Sequence, residues 1–236
     1  MRLSINPTLE LNSARTVYKK RGRVLLTDFL ARDGAAALAE GLATALPYHL
    51  TMTKADESVA NIDAAELAAR GEDFRRRLMG AVFADAASGF RYFYGQFEFD
   101  KHLDDAGPVG ELSRAAWGFL NGPQFLAALG RITGEAGLVR ASAQASRYAP
   151  GHFLTAHDDD VKNSGRRAAF VLYLSPTWRA DWGGLLQFID RDGHVAEAYT
   201  PVFNALAVFR VPSQHAVSMV TPLAPAARYA ISGWVH

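Results

Sequence analysis

The chain has no cysteine, which removes disulfides, zinc–thiolate centres and thiol nucleophiles from consideration. Any metal site must be built from His, Asp and Glu. It has no run approaching the ~20 apolar residues of a membrane span, and its first twenty residues, MRLSINPTLELNSARTVYKK, lack the continuous apolar core of a signal peptide. A cytoplasmic protein without membrane association is the expectation. There is also no excess of one charge: 25 Lys+Arg stand against 24 Asp+Glu, so no global field draws nucleic acid or an anionic membrane, and no direct nucleic-acid binding is expected. A local basic patch stays open. With 49% hydrophobic and 21% charged residues over 236 positions, the composition is that of an ordinary globular chain that can bury a core. One domain spanning 1–236 is expected.

The first part reads as helical support. Val24-Leu25-Leu26 suggests a short strand, Asp33 an N-cap for a helix through Ala45, and Pro47 its end. Residues 49–61 read as a loop. A second helix is expected from Asp63, spaced with Glu66 as a capping box, to about Ala87, with Gly71 and Gly80 as possible interruptions. FRYFYGQFEF (90–99) reads as a strand with a bulge at Gly95, as a peptide groove or a packed edge. Asp104 to Gly110 reads as a loop, and Leu112–Leu120 and Pro123–Ile132 as helices. Beyond Gly137 the texture changes to short β-rich runs: Leu138–Tyr148, Ala168–Leu174, Leu185–Ile189, Ala205–Val211, Ala216–Val220 and Arg228–Val235. Turn residues lie between them. This is an α+β chain: helical support and edge strands over about 1–137, and a sandwich or jelly-roll core over about 138–236, with the helices packed on one sheet.

Chemistry concentrates in YAPGHFLTAHDDD (148–160). If this stretch is extended, His157 and Asp159 project from one face, where one metal ion could bridge them. Asp158 and Asp160 would then point away as a solvated acidic edge. Among the remaining histidines His215 is the best placed, since it opens a β-like run after the turn Pro212-Ser213-Gln214. His152 has the wrong parity, and His49, His102, His194 and His236 read as surface or core positions. Arg228 opens RYAISGWVH, and a core-facing guanidinium needs an anionic partner. Arg166 and Arg167 read as steering groups for an acidic or RNA-bound partner, or as a solvated strand entry. Tyr173 reads as core or pocket wall, and Trp234 as core.

His-x-Asp, then His, then Arg, over successive β-strands resembles the non-haem Fe(II)/2-oxoglutarate oxygenases of the prolyl-hydroxylase-like group, nearest to the ribosomal-protein prolyl hydroxylases. The matching pieces are Tyr148 with Pro150-Gly151, His157-Asp158-Asp159, Arg166-Arg167, Leu172-Tyr173-Leu174, Gly183-Gly184, His215, and Arg228 with Ser232-Gly233-Trp234. The resemblance is strong over about 138–236 and weak over about 90–137. It implies a double-stranded β-helix core, with His157, Asp159 and His215 as metal ligands on one triangular face that leaves coordination positions open. It implies Arg228 on the distal carboxylate of 2-oxoglutarate, with Tyr148, Tyr173 and Ser232 as further co-substrate contacts. Fe(II), 2-oxoglutarate, O2 and ascorbate as reductant follow, as does hydroxylation of a prolyl C–H bond in a protein or peptide, a ribosomal protein among the candidates. Succinate and CO2 would be the other products. The carboxylate at Asp159, which related halogenases lack, favours hydroxylation. Hydroxylation of a small molecule such as a free amino acid, a jelly-roll metal-binding or sensing module without turnover, and a purely structural role for the His and Asp side chains are the competing readings.

Overall fold

A computed structural model describes residues 1–54 and 56–236. Five α-helices are present among them: α1 (Leu11–Arg21), α2 (Arg32–Thr44), α3 (Ala64–Asp85), α4 (Gly107–Leu120) and α5 (Pro123–Thr133). The strands are β1 (Arg23–Leu26), β2 (His49–Thr53), β3 (Val59–Ile62), β4 (Tyr92–Glu98), β5 (Ala141–Tyr148) and β6 (Phe153–His157), followed by β7 (Ala168–Tyr173), β8 (Leu186–Ile189), β9 (Val195–Tyr199), β10 (Ala205–Arg210), β11 (His215–Val217) and β12 (Arg228–Val235). They pair in the order β1-β10-β7-β12-β5-β4-β6-β11-β8-β9, with β2 and β3 added beside β4. Every pairing is antiparallel.

Strand β7, AAFVLY, shows why the sheet folds over. All six residues are buried, a pattern that requires cover on both faces. Its even positions, Phe170 and Leu172, join Leu38 and Leu42 of α2 and Phe125 and Leu129 of α5 in one core. Its odd positions, Ala169, Val171 and Tyr173, face Leu186 and Phe188 of β8. Each fully buried Leu or Phe contributes ~1.5–3 kcal/mol, so the helices and the second sheet both stabilise the strand that carries the middle of the fold. The same alternation on β12 sends Ile231 and Val235 toward the helices and leaves Arg228, Ser232 and Trp234 for the other face. The result is the expected α+β architecture: a β-helix-like core with helices on one sheet face. Among the described residues no helix is long and apolar enough to cross a membrane.

Several local expectations are corrected. Residues 49–61 are not a loop: β2 and β3 form a hairpin, and β2 also pairs with β4. Pairing with β4 overrides the weak, Thr-rich local signal; residue 55 of that stretch lies outside the described residues. Helix α1 and strand β9 have no sequence expectation behind them. Helix α4 begins at Gly107, inside the expected loop, and α2 begins one residue before Asp33. The Asp63–Glu66 capping box does not form, because Asp63 makes no side-chain cap bond. Gly71 does break the helical path of α3 (φ 74°, ψ −178°), whereas no break occurs at Gly80. Gly95 is not a bulge. It pairs in register with Leu50 and Arg147, and a Cβ there would meet the Arg147 carbonyl at 3.2 Å.

His152 is buried against Phe93, ring centroids 4.9 Å apart, with Leu50, Met52 and Phe153 around that ring. Burial pulls its pKa from 6.5 down to about 4, against the Arg147 carbonyl that accepts from Nδ1 at 3.3 Å. Between those values the unfolded chain binds a proton that the folded chain does not. Stability is therefore fully present above about pH 6.5 and falls as pH drops toward 4, by on the order of a few kcal/mol from this group. Urea midpoints should fall from pH 7 to pH 5, and His152→Gln should make that fall shallower; an unchanged slope in the variant would contradict the assignment.

Candidate active site

Strands β6 and β11 lie side by side, and His157 and His215 are direct partners in their register. The two ring centroids are 4.1 Å apart. Each ring is oriented by its own backbone: His157 Nδ1 lies 3.0 Å from the Thr155 carbonyl, and His215 Nδ1 lies 2.7 Å from that of Ser213. A carbonyl only accepts, so each Nδ1 carries the proton and each Nε2 presents a lone pair. Those lone pairs converge on Asp159, whose Oδ1 is 3.4 Å from His157 Nε2 and whose Oδ2 is 3.4 Å from His215 Nε2. The three side chains offer ligand atoms within 4.8 Å of one another.

The expected route for Asp159 is corrected. Strand β6 ends at His157, and Asp159 reaches the histidines from a left-handed backbone conformation (φ 64°) rather than by strand alternation. Aspartate tolerates that conformation better than most residues. The same turn ends the alternation that would have sent Asp158 and Asp160 away, and both border the cavity.

Burial, and secondarily the adjacent His157, lowers the His215 pKa from 6.5 to about 4, which leaves a neutral imidazole at pH 7. Burial pushes the Asp159 carboxyl up, but its interactions with the adjacent His157 and His215 outweigh that and hold the group below its ordinary value. Two imidazole nitrogens and one carboxylate around a common point suit a divalent first-row metal.

Across the cavity Arg228 opens β12, directly opposite Tyr148 of β5. Its guanidinium carbon is 4.9 Å from the Tyr148 ring and 5.2 Å from the Tyr173 ring. Arg228 is 1% exposed, its Nε lacks a hydrogen-bond partner, and among the described residues no carboxylate pairs with it. Leaving such a cation buried is costly, so the geometry asks for an anion from outside the chain. Gly184 makes room for it: a Cβ there would sit 3.0 Å from Arg228 Cδ, at a backbone φ of +65°. Burial raises the Tyr148 and Tyr173 hydroxyl pKa values, the latter to about 12, so both remain neutral phenols.

A cavity of about 460 Å³ joins the two halves. His157, Asp159 and His215 are on one wall, and Tyr148, Arg228 and Ser232 are on the other. Tyr173, fully buried, lies behind Arg228 rather than on the wall. Trp234, expected in the core, borders the cavity instead, because it shares β12 parity with Arg228 and Ser232. The sequence reading also missed Gln144 and Gln96, which hydrogen-bond each other on the cavity wall, with Gln144 donating to Tyr94 Oη at 3.0 Å. Their strand parity with Tyr148 and Tyr94 is the signal that could have found them. Phe90, 42% exposed, stands 5.2 Å from the His157 ring at the cavity edge.

A family model matches the part of the chain that carries His157, Asp159, His215 and Arg228. Residues 143–236 match the family model described as the 2OG-Fe(II) oxygenase superfamily. The chain is 40% identical over 90 residues to prolyl 3-hydroxylase OGFOD1 of Mus musculus, covering 35% of this chain and 16% of that protein. It is 35% identical over 108 residues to prolyl 3-hydroxylase sudestada1 of Drosophila melanogaster, covering 40% and 20%. The chain thus spans a fifth or less of the length of these curated relatives. Among solved structures, a Pseudomonas putida prolyl-4-hydroxylase superposes with TM-score 0.57 at 20% identity, over 96% of this chain and 98% of that one. A Trichoplax adhaerens prolyl hydroxylase, solved with a hypoxia inducible factor oxygen degradation domain peptide fragment, gives 0.59 at 16% identity over 95% and 88%. These two establish the fold.

The converging Nε2 and carboxylate atoms should bind one Co(II) ion. His215→Ala or Asp159→Ala should weaken binding by at least ~100-fold in calorimetric titration, while His152→Gln should leave it intact. Equal binding by all three variants would remove the site from these residues.

Proposed function

From the premise that residues 143–236 form a 2OG-Fe(II) oxygenase domain, we propose that this chain is an Fe(II)- and 2-oxoglutarate-dependent dioxygenase that hydroxylates a prolyl residue in a protein or peptide. One observation carries the reading: a buried, unpaired Arg228 opens onto the same cavity as a His–Asp–His face. Charge balance supports it. A divalent iron, the Asp159 carboxylate and Arg228 together leave two positive charges, which a dicarboxylate such as 2-oxoglutarate neutralises.

In this reading His157, Asp159 and His215 hold Fe(II). Iron, 2-oxoglutarate and O2 together supply the oxidising chemistry, with succinate and CO2 as by-products. Arg228 grips the distal carboxylate of the co-substrate, a planar guanidinium meeting a planar anion. Tyr148 keeps its proton and donates to the same carboxylate. Ser232 adds a hydroxyl on the same wall, and Tyr173 fixes the guanidinium from behind. The Tyr94 ring, stacked on Tyr148 at 4.9 Å and 10°, keeps that hydroxyl in place. Proline as the target rests on the two prolyl 3-hydroxylase relatives. The exposed Phe90 ring and its neighbour Tyr92 at the cavity edge support it, since aromatic faces suit a pyrrolidine ring. A ribosomal protein as substrate and ascorbate as reductant belong to the same proposal and rest on the sequence resemblance; a cytoplasmic setting and one domain over 1–236 are proposed with them from composition and length.

Anaerobic addition of Fe(II) and 2-oxoglutarate should give a weak visible charge-transfer band, absent in His215→Ala. Arg228→Ala should raise the 2-oxoglutarate concentration needed for that band by ~10–100-fold, the loss of a charge-assisted contact, without changing Co(II) affinity. In air, prolyl peptides should gain one oxygen atom and accelerate succinate release. No band in the parent protein would overturn the proposal.

A further inference from the structure

Arg166 and Arg167 are neighbours in sequence, but their placements differ. Arg167 is exposed, while Arg166 is pinned between two groups of the cavity. Its Nη1 donates to the Asp159 backbone carbonyl at 3.2 Å and lies 3.9 Å from Asp159 Oδ1. On its other side its guanidinium carbon sits 3.7 Å over the Trp234 ring. Arg166 therefore bridges the Trp234 ring and one backbone unit, that of Asp159.

That backbone unit is the exceptional one in the site. His157 stands on a strand and His215 on its partner, so their directions are fixed by the sheet ladder. Asp159 has no ladder. It occupies the left-handed region at φ 64°, which non-glycine residues visit infrequently, although aspartate is among those that tolerate it. Its carbonyl accepts a local bond from Val161 N at 2.9 Å and the Arg166 bond, while the preceding carbonyl, that of Asp158, accepts from Ser213 N at 3.3 Å. A guanidinium donates in several directions within one plane, so it can bond the carbonyl while its face rests on the indole. Trp234, held in register on β12 opposite Ser142, is a rigid platform for that arm.

We infer that Arg166 is a positioning residue for the metal centre: braced on Trp234, it holds the Asp159 backbone in the conformation that turns the carboxylate toward His157 and His215. The inference rests on the metal reading above. It also assigns the Arg166–Trp234 stack, a stretch of cavity wall, to the preorganisation of a ligand rather than to attraction of an acidic partner.

Co(II) binding and its visible d–d spectrum test this without turnover. Parent protein, Arg166→Gln, Arg166→Lys and Arg167→Gln are titrated, with folding checked by circular dichroism. Arg166→Gln should weaken Co(II) by about 10–100-fold and alter the spectrum, as loss of a group that orients a ligand does. Arg166→Lys, which keeps a cation over Trp234 and a donor for the carbonyl, should recover most of the affinity, and Arg167→Gln should match the parent. Parent-like affinity and spectrum in Arg166→Gln would overturn the inference, as would a loss of the same size in Arg167→Gln. If Arg166→Gln does not fold, Trp234→Leu, which removes the platform and leaves the guanidinium, is read instead; unchanged binding there overturns it equally. A parent protein that binds no Co(II) would defeat the metal reading itself, a different result from any of these.

Discussion

The antiparallel pairing of β6 with β11 is the constraint on which the site depends. It sets His157 opposite His215, and backbone carbonyls two residues before each ring fix which nitrogen faces inward. Neither imidazole needs a distant side chain to orient it. The pairing is short, since β11 has only three residues, and it survives because β8 covers the other edge of β11 in continuous register. A one-residue slip would turn His215 to the other face of its sheet and leave Asp159 with a single partner.

The second organising feature is an imbalance. Proteins seldom bury an arginine without an acid, and here Arg228 has two phenol rings, a glycine that makes way for it and, among the described residues, no carboxylate. The deficit is local to the cavity and matched across it by a cluster that carries only one carboxylate for a dication. Both halves are thus incomplete in complementary ways. That complementarity connects packing to function more directly than the resemblance of the fold, because a buried cation without a carboxylate costs stability instead of adding to it.

Much of this was legible in the sequence because the β-core obeys local rules. Strand parity relates Arg228 to Ser232, and an invariably apolar run marks β7 as covered on both faces. What was not legible has identifiable causes. Asp159 follows a left-handed turn that no periodicity announces, so Asp158 and Asp160 were expected on the wrong side. The β2–β3 hairpin gains its order from β4, over forty residues away from its start, and its own residues carry little strand signal. Trp234 was legible in principle, six residues from Arg228 on the same strand face, but an indole between apolar neighbours reads as core until the cavity is seen. Arg166 lies in an irregular segment where no spacing rule fixes a side chain.

The account stands or falls on whether one ion and one dicarboxylate bridge the two walls of the cavity. A crystal structure grown without oxygen, with Mn(II) in place of iron and 2-oxoglutarate present, addresses this directly. The account predicts Mn(II) bound by Nε2 of His157, Nε2 of His215 and the Asp159 carboxylate, and a co-substrate carboxylate paired with Arg228 beside the Tyr148 hydroxyl. Metal bound elsewhere, or Arg228 still without an anion while 2-oxoglutarate is bound at another place, would contradict it.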